Sequence, residues 1–273
     1  MAKNSKVKLI VFGACGRMGT RIITLANESK VFDVMGALET KNHPNLGNPI
    51  EETISGWKGR KLFISSELEE VIGDCQVMID FTHPDSTIKH LRAAVKAKKA
   101  LVIGTTGFSK PQLAEIKRAS KKIPIVQAPN MSIGVNVVFQ IAELLGSQLD
   151  NCYDVEIVET HHKFKKDAPS GTALELADRV SKGRKVQLDQ VALYGRKGFT
   201  GERKKGSIGI HALRGGDVVG EHRVRFITHG ESIEVFHHAA NRDSFASGAL
   251  RAAQFLAKKR TGFFTMKDVL GLK

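Results

Sequence analysis

Residues 7–19 read VKLIVFGACGRMG, an apolar-rich run followed by three glycines, Gly13, Gly16 and Gly19, at intervals of three. The run 7–12 predicts a buried strand, and residues 18–27 predict a helix directly after the glycines. Glycines at such a junction permit a tight turn, and backbone N–H groups at the positive end of the helix can bind a pyrophosphate. The spacing departs from the usual G-x-G-x-x-G, so a nucleotide site needs a second indication.

Glu39 supplies that second indication, because it falls twenty residues after Gly19, at the end of the next predicted strand. An acidic side chain at this place can accept hydrogen bonds from the hydroxyls of an adenosine ribose. The alternative is an ordinary surface carboxylate at a strand end. Lys41 favours the 2′-phosphate of NADPH whereas Glu39 repels it, so the residues alone leave NADH and NADPH both open.

The first half of the chain alternates short β-branched runs with helical spacing. Strands are predicted at 7–12, 31–38, 61–64, 77–81, 100–103 and 123–127, and further helices at 86–97 and 111–120, the second capped by Ser109. This order predicts a doubly wound, Rossmann-type parallel sheet. Gly104-Thr105-Thr106-Gly107 and Ala128-Pro129-Asn130-Met131 each follow a predicted strand, at the edge where such folds bind ligands; the alternative is that both are ordinary turns.

The pattern changes after Asn130. We predict a helix at 135–149, a strand at 154–160, a helix from about Ser170, a hairpin at 222–239 that turns at His229-Gly230-Glu231, and a last helix at 245–259. We therefore expect a dinucleotide-binding domain at 1–131, with the C-terminal segment 243–273 packing back on it. Residues 132–242 are expected to form an α+β domain on a mixed, largely antiparallel sheet.

Composition limits the class of protein. The 273 residues contain no apolar run near the roughly 20 residues of a membrane helix, and the apolar run after the polar start 1–6 is too short for a signal peptide. Three cysteines at wide spacing predict reduced thiols rather than disulfides or a zinc ribbon. We expect a soluble cytoplasmic protein without a membrane partner. The formal net charge of +14 is spread over several short basic clusters and favours anionic ligands.

Residues 159–172, ETHHKFKKDAPSGT, hold the densest set of reactive groups. Adjacent histidines in an extended chain point to opposite sides, so His161 and His162 are expected to have different roles. A histidine can donate a proton, and a lysine can hold a carboxylate. Ser170, Gly171 and Thr172 begin a helix whose N–H groups and hydroxyls can bind an anion. The alternatives are a solvated basic loop and a metal site, for which His161, His162 and Asp167 are too few; we expect no metal.

These motifs resemble one family, the dihydrodipicolinate (4-hydroxy-tetrahydrodipicolinate) reductases of bacterial and plant diaminopimelate and lysine synthesis. The resemblance spans nearly the whole chain and rests on GACGRMG at 13–19, DFT at 80–82, GTTG at 104–107, APN at 128–130, and His161-His162 followed by Lys165 and DAPSGT at 167–172. It implies hydride transfer from NADH or NADPH to the dehydrated ring of a small dicarboxylate, followed by protonation of the neighbouring ring carbon. It also implies a homotetramer assembled through the sheet of the second domain.

The resemblance assigns roles to residues. His161 matches the proton donor and Lys165 its partner acid, while His162, Lys165, Ser170, Gly171, Thr172 and Arg242 match substrate-binding positions. Cofactor contacts are implied at Gly13, Ala14, Cys15, Gly16, Arg17, Met18, Glu39, Thr40, Gly104, Thr105, Thr106, Ala128, Pro129, Asn130 and Met131. Some members carry an arginine after the acidic residue to bind the 2′-phosphate, but this chain has Thr40. We therefore expect both cofactors to be used, with a preference for NADH.

Two other classes of protein remain as alternatives. A semialdehyde or homoserine dehydrogenase would share the nucleotide loop, but the semialdehyde enzyme needs a nucleophilic cysteine, and Cys152 lies outside any evident site loop. A redox-sensing DNA-binding regulator would explain the positive charge, yet no segment has a convincing helix-turn-helix pattern. We expect no nucleic-acid partner.

Overall fold

The computed structural model describes residues 6–272, so residues 1–5 of the polar start lie outside the described residues. The chain forms two compact units. One holds the residues up to Ile133 together with those from Asp243 onward, and the other is Gly134–Arg242. No helix among the described residues is both long enough and apolar enough to cross a membrane.

Strands and helices alternate through most of the first unit. Its elements up to the boundary are β1 (Val7–Phe12), α1 (Arg17–Glu28), β2 (Phe32–Leu38), β3 (Ile64–Ser65), α2 (Leu68–Val71), β4 (Val77–Asp80), α3 (Pro84–Ala97), β5 (Ala100–Ile103), α4 (Lys110–Ala119), β6 (Pro124–Gln127) and α5 (Ile133–Gln148), the last of which continues into the second unit. They are followed by β7 (Asp154–His161), α6 (Gly171–Gly183), α7 (Leu188–Val191), β8 (Ala192–Tyr194), β9 (Ile208–Arg214), β10 (Gly220–Thr228), β11 (Glu231–Ala239), α8 (Asp243–Leu256), β12 (Gly262–Phe264) and α9 (Met266–Leu270).

The first unit is built on a parallel sheet with the strand order β12-β6-β5-β4-β1-β2-β3, which confirms the doubly wound fold. Its strands are apolar on both faces because helices cover both. In β1, Leu9 and Val11 pack with residues of α1 and α8 on one face, while Ile10 and Phe12 pack with residues of α3 and α4 on the other. The side chain of Ser109 caps α4 as predicted, accepting a hydrogen bond from the N–H of Gln112.

Two parts of this sheet differ from the prediction. The strand predicted at 61–64 is reduced to β3, because Phe63 instead forms an antiparallel bridge with Pro49 and the Leu62 carbonyl accepts the N–H of Ile50. β12 was not predicted, since its three residues are too few for a periodic signal. It extends the sheet by pairing with β6.

The second unit is built on a mixed sheet with the strand order β11-β10-β7-β9-β8. β10 pairs antiparallel with β11, as the predicted hairpin requires, and also with β7. β9 pairs parallel with β7 and β8. Neither β8 nor β9 was predicted. Alternate residues of β7 are buried, and Val155 and Ile157 pack with residues of α5 and α6 on one face. Glu159 and His161 continue this same face toward the end of the strand.

Replacing Gly248 with alanine tests how tightly the first unit is packed. A Cβ added at Gly248, in α8, would lie 1.7 Å from the carbonyl oxygen of Met131. Glycine-to-alanine changes inside helices usually stabilise by about 1 kcal/mol, but here we expect destabilisation of about 1–3 kcal/mol because backbone must move. Urea unfolding followed by circular dichroism measures the change.

The control is Gly73→Ala, because nothing lies within 4 Å of a Cβ added there. Its free energy of unfolding should change by no more than about 0.5 kcal/mol. A Gly248→Ala protein as stable as the parent would contradict the close packing of α8.

Candidate active site

The glycine loop lies at the carboxyl edge of the first sheet, after β1. β1 and β4 are adjacent, and the strand order runs in opposite directions from this pair, which is where doubly wound folds bind ligands. Gly13 has a φ of +68°, and its N–H bonds the carbonyl of Leu38 at 2.8 Å. A Cβ at Gly19 would lie 2.0 Å from the Gly13 carbonyl oxygen, so the loop and α1 approach more closely than a larger residue allows.

The start of α1 fits a phosphate group. Its cap residue is Gly16, which has no side chain to bond the N–H groups of the first turn, formed by Arg17, Met18 and Gly19. Such N–H groups and the helix dipole attract anions. The first turn of α1, next to the glycine loop, therefore suits the phosphates of a dinucleotide.

Glu39 connects the glycine loop to the end of β2. One carboxylate oxygen accepts the N–H of Cys15 at 2.9 Å and the other accepts the N–H of Thr40 at 3.2 Å. The residue is half-buried, and each oxygen retains a lone pair for another donor. This geometry suits the predicted contact with ribose hydroxyls.

A fully buried carboxylate, Asp80, organises the neighbouring strand ends. One of its oxygens accepts bonds from the hydroxyls of Thr82, Thr87 and Thr105, at 2.6–3.2 Å, and from the N–H of Thr82. The other oxygen lies 2.6 Å from Nδ1 of His90. These bonds fix the segments that follow β4 and β5 against each other.

The two other predicted cofactor segments lie beside this network. The Gly104 N–H bonds the Asp80 carbonyl at 2.9 Å, and the Ala128 N–H bonds the Ile103 carbonyl at 3.2 Å. A Cβ at Gly104 would lie 2.1 Å from the ring of Phe81, so a larger residue there would displace that ring. Thr106 and Pro129 are exposed, Met131 is buried, and the Asn130 side chain accepts the N–H of Ser132 at 2.9 Å. The structure thus places all the predicted cofactor residues in the first unit, around one sheet edge.

In the second unit, His161 ends β7 and is nearly buried. Its Nδ1 lies 2.5 Å from the carboxylate of Glu159, which is fully buried. Arg214 donates two bonds to that carboxylate, at 2.8 and 2.9 Å, and the N–H of Ser170 donates a third at 3.0 Å. A Cβ at Gly220 would lie 3.1 Å from Nε2 of His161, so the glycine leaves room beside this nitrogen.

The pKa values follow from these contacts. Burial raises the pKa of Glu159, but the bonds from Arg214, His161 and Ser170 outweigh it and hold the pKa below its usual value. Burial lowers the pKa of His161, although Glu159 partly offsets this by favouring the imidazolium. Glu159 is therefore ionised at neutral pH and fixes the Nδ1 side of the imidazole.

His222 is a buried partner of this group that the sequence did not reveal. Its Nε2 lies 3.0 Å from the Ser170 hydroxyl, and its ring meets that of His161 edge-on at 5.2 Å. Burial, followed by the neighbouring His161, lowers the pKa of His222 to about 3, so it is neutral. The Ser170 hydroxyl also accepts the N–H of Ala173, so its side chain caps α6 from within the core.

A charged pair lies in the loop between β7 and α6. The Lys165 Nζ is 2.9 Å from the carboxylate of Asp167, and this ammonium lowers the pKa of Asp167. The Lys165 N–H bonds the His162 carbonyl, which holds the loop after β7 in a turn. Gly171 is exposed, with nothing within 4 Å of an added Cβ, so the first turn of α6 is accessible.

The structure places both predicted catalytic residues and the predicted substrate-binding residues Ser170 and Gly171 in the second unit, and it adds Glu159, Arg214 and His222 to this region. His161, Ser170, Gly171 and Lys165 share one region of the second unit, while Arg242 lies at its end, directly before α8. Glu159 was detectable, because residues two apart on a strand share a face. Arg214 and His222 were not, since they lie opposite His161 and Glu159 only through strand pairing.

The comparisons with known proteins agree over the full length of the chain. Residues 7–131 match the family model for the N-terminus of dihydrodipicolinate reductase, and residues 134–270 match that for its C-terminus. The chain is 45% identical over 269 residues to a 4-hydroxy-tetrahydrodipicolinate reductase of Polynucleobacter necessarius, covering 98% of this chain and 100% of the relative. A protein of the same name from Syntrophus aciditrophicus is also 45% identical, over 98% of this chain and 99% of the relative.

A solved structure has the same fold. It is described as dipicolinate-bound dihydrodipicolinate reductase from Paenisporosarcina sp. TG-14, and it superposes with a TM-score of 0.75 at 24% identity. The match covers 96% of this chain and 98% of that one. With both family models and the full-length relatives in agreement, the chain belongs to the dihydrodipicolinate reductase family.

Proposed function

We propose that this protein is a 4-hydroxy-tetrahydrodipicolinate reductase of diaminopimelate and lysine synthesis, which forms tetrahydrodipicolinate with NADH or NADPH. The observation that carries the proposal is the nearly buried His161 held by the buried carboxylate of Glu159. A proton donor needs such fixed orientation. The names of the full-length relatives supply the substrate.

The first unit is proposed to bind the cofactor. The N–H groups of Arg17 and Met18, in the first turn of α1, take the pyrophosphate, and Glu39 takes the adenosine ribose. Thr105 and Thr106, with the segment 128–131, contact the nicotinamide end. When bound, the reduced nicotinamide supplies a hydride to the dehydrated ring of the substrate.

The second unit is proposed to bind the two substrate carboxylates. His162, Lys165 and Arg242 provide positive or hydrogen-bonding groups, and the N–H groups of Gly171 and Thr172 provide a helix N-terminus. Ser170 contributes indirectly, because its hydroxyl and N–H bond His222 and Glu159 and so orient this turn. Lys165, which pairs with Asp167 at 2.9 Å, is proposed to assist the proton transfer.

His161 is proposed to donate the proton that completes the reduction. Burial lowers the pKa of His161, and the Glu159 carboxylate, which faces Nδ1, partly offsets this; Nε2 is therefore the nitrogen that delivers the proton to the ring carbon beside the site of hydride addition. Arg214 keeps Glu159 ionised and thereby prevents it from taking that proton.

We further propose that the enzyme is a cytoplasmic homotetramer assembled through the open face of the second sheet. α5 and α6 cover the other face, whereas the open face presents Leu213 and Phe236, which are 53% and 43% exposed. The guanidinium of Arg223 lies 4.0 Å from the centre of the Phe236 ring. Flat apolar and cationic surfaces of this kind favour self-association.

The first functional test replaces His161 with alanine. We expect kcat to fall about 10²- to 10⁴-fold, because general acid catalysis contributes a factor of this size, while NADH affinity stays unchanged. The assay follows oxidation of NADH with the product of the preceding synthase as substrate. The exposed His229→Ala variant is the control, and full turnover by His161→Ala would refute the assigned role.

The second test replaces Glu159 with glutamine. We expect kcat to fall by roughly 10²-fold or more, since removing the carboxylate that orients a catalytic histidine costs about 10⁴-fold in serine proteases. The alkaline limb of the kcat profile should also move to lower pH. Glu159 favours the imidazolium, so its loss lowers the pKa of His161 further, and the protonated donor disappears at a lower pH.

Glu175→Gln, a carboxylate-to-amide change in α6, is the control and should leave the profile in place. Circular dichroism and NADH binding establish that Glu159→Gln is folded. Reduced activity with an unshifted pH profile would show that Glu159 supports the fold without tuning His161.

The third test concerns the choice of cofactor. With Thr40 directly after Glu39, we expect kcat/KM for NADH to equal or exceed that for NADPH, because the residue that follows the carboxylate is uncharged. Thr40→Arg should shift the ratio toward NADPH by about 10-fold or more, as a charged hydrogen bond contributes about 1.5–3 kcal/mol. Thr40→Gln is the uncharged control, and a clear preference for NADPH in the parent would refute the expectation.

A further inference from the structure

Three groups that can bind a metal ion meet beside the glycine loop, although the proposed reaction needs no metal. The thiol of Cys15, a carboxylate oxygen of Glu39 and an imidazole nitrogen of His43 lie within 4.8 Å of one another. They come from three separate segments: the glycine loop, the end of β2 and the turn that follows. Across residues 6–272 no other three histidine, cysteine or acidic side chains converge in this way, including His161, His162 and Asp167.

The chemistry of this set is that of a zinc ligand sphere. Zn²⁺ binds thiolate, imidazole and carboxylate in tetrahedral geometry, and three protein ligands leave a fourth position for water. Mg²⁺ and Ca²⁺ prefer oxygen ligands alone. We propose that Cys15, Glu39 and His43 form a reversible Zn²⁺ site.

The surroundings of the thiol support metal binding. The side-chain N–H of Asn45 lies 3.8 Å from Sγ of Cys15, and Thr53 also hydrogen-bonds the thiol. Such donors stabilise a thiolate and tune its affinity for metal. Burial nonetheless raises the pKa of Cys15, so the group is a thiol at neutral pH and must lose its proton when Zn²⁺ binds.

The imidazole indicates that the site is reversible rather than permanently filled. Nδ1 of His43 accepts the backbone N–H of Asn45 at 3.2 Å, which places the proton of the neutral ring on Nε2. Either nitrogen can bind a metal only after this contact opens or the proton moves. Both changes cost free energy and weaken binding.

Zn²⁺ at this site would compete with the cofactor for the Glu39 carboxylate, and this consequence rests on the proposed function. Glu39 is the group assigned to the adenosine ribose, and its two oxygens also bond the N–H groups of Cys15 and Thr40. A carboxylate oxygen that binds a metal is not available to a ribose hydroxyl. The site therefore predicts inhibition by Zn²⁺ that is competitive with NADH.

Calorimetric titration of the untagged, cofactor-free protein with ZnCl₂ tests the site directly. We expect one Zn²⁺ per chain and release of about one proton, measured by comparing two buffers. Cys15→Ser and His43→Gln should each weaken binding by at least about tenfold, since loss of groups that merely support a ligand already costs 10- to 100-fold.

Cys152→Ser and His229→Gln are matched controls, because both native residues are exposed and lie outside the set. Equal Zn²⁺ affinity in the parent, Cys15→Ser and His43→Gln proteins would overturn the site, as would weakening by the control substitutions alone. The His43→Gln variant keeps the test valid if Cys15→Ser fails to fold.

A second titration follows NADH fluorescence with and without Zn²⁺. We expect Zn²⁺ to weaken NADH binding in the parent but not in His43→Gln. Unchanged NADH affinity in a Zn²⁺-loaded parent would overturn the competition. Failure of NADH to bind even without Zn²⁺ would instead refute the proposed function, and the calorimetric result for the metal would stand.

Discussion

The buried carboxylate of Glu159 is the group on which the candidate catalytic site depends. An ionised side chain without exposed surface costs several kcal/mol unless it is paired and hydrogen-bonded, and this one receives a bidentate arginine, a backbone N–H and an imidazole. These donors come from β9, from the residue that caps α6 and from β7 itself. Because the charge must keep all of them, the end of the strand, the start of the helix and His161 are held in one arrangement.

In the first unit, Asp80 is a buried carboxylate that joins several elements, as Glu159 does in the second unit, but its hydrogen-bond partners differ. It also has no exposed surface, yet hydroxyls, one N–H and the His90 ring surround it in place of an arginine. Its bonds join the ends of β4 and β5 and the first turns of α3. Small hydroxyl donors leave the surrounding loops close together, whereas the larger guanidinium of Arg214 spans two strands of the second sheet.

Sequence patterns predicted the elements whose formation depends only on residues close together in the chain. β1, the glycine loop and α1 were predictable because period and turn chemistry act over a few residues, and the Ser109 cap followed from the same local rules. β9 and β12 were not, since β9 is identified by its pairing with β7 and β12 has three residues. Likewise His161 and Ser170 stand in one recognisable run, but the positions of Arg214 and His222 opposite that run depend on strand register, which no local pattern encodes.

The three cysteines differ in what their thiols can do. Burial raises the pKa of Cys75 to about 11, so that side chain is inert core, and Cys152 is exposed at a turn, outside any convergent set of ligands among the described residues. Of the three, Cys15 has an imidazole and a carboxylate within bonding range of a shared ion. The glycine loop uses the backbone N–H of Cys15, which bonds Glu39, so the Cys15 side chain is not required for the turn. A thiol there therefore leaves the fold of the loop unchanged, and it would make the proposed ribose contact at Glu39 sensitive to Zn²⁺.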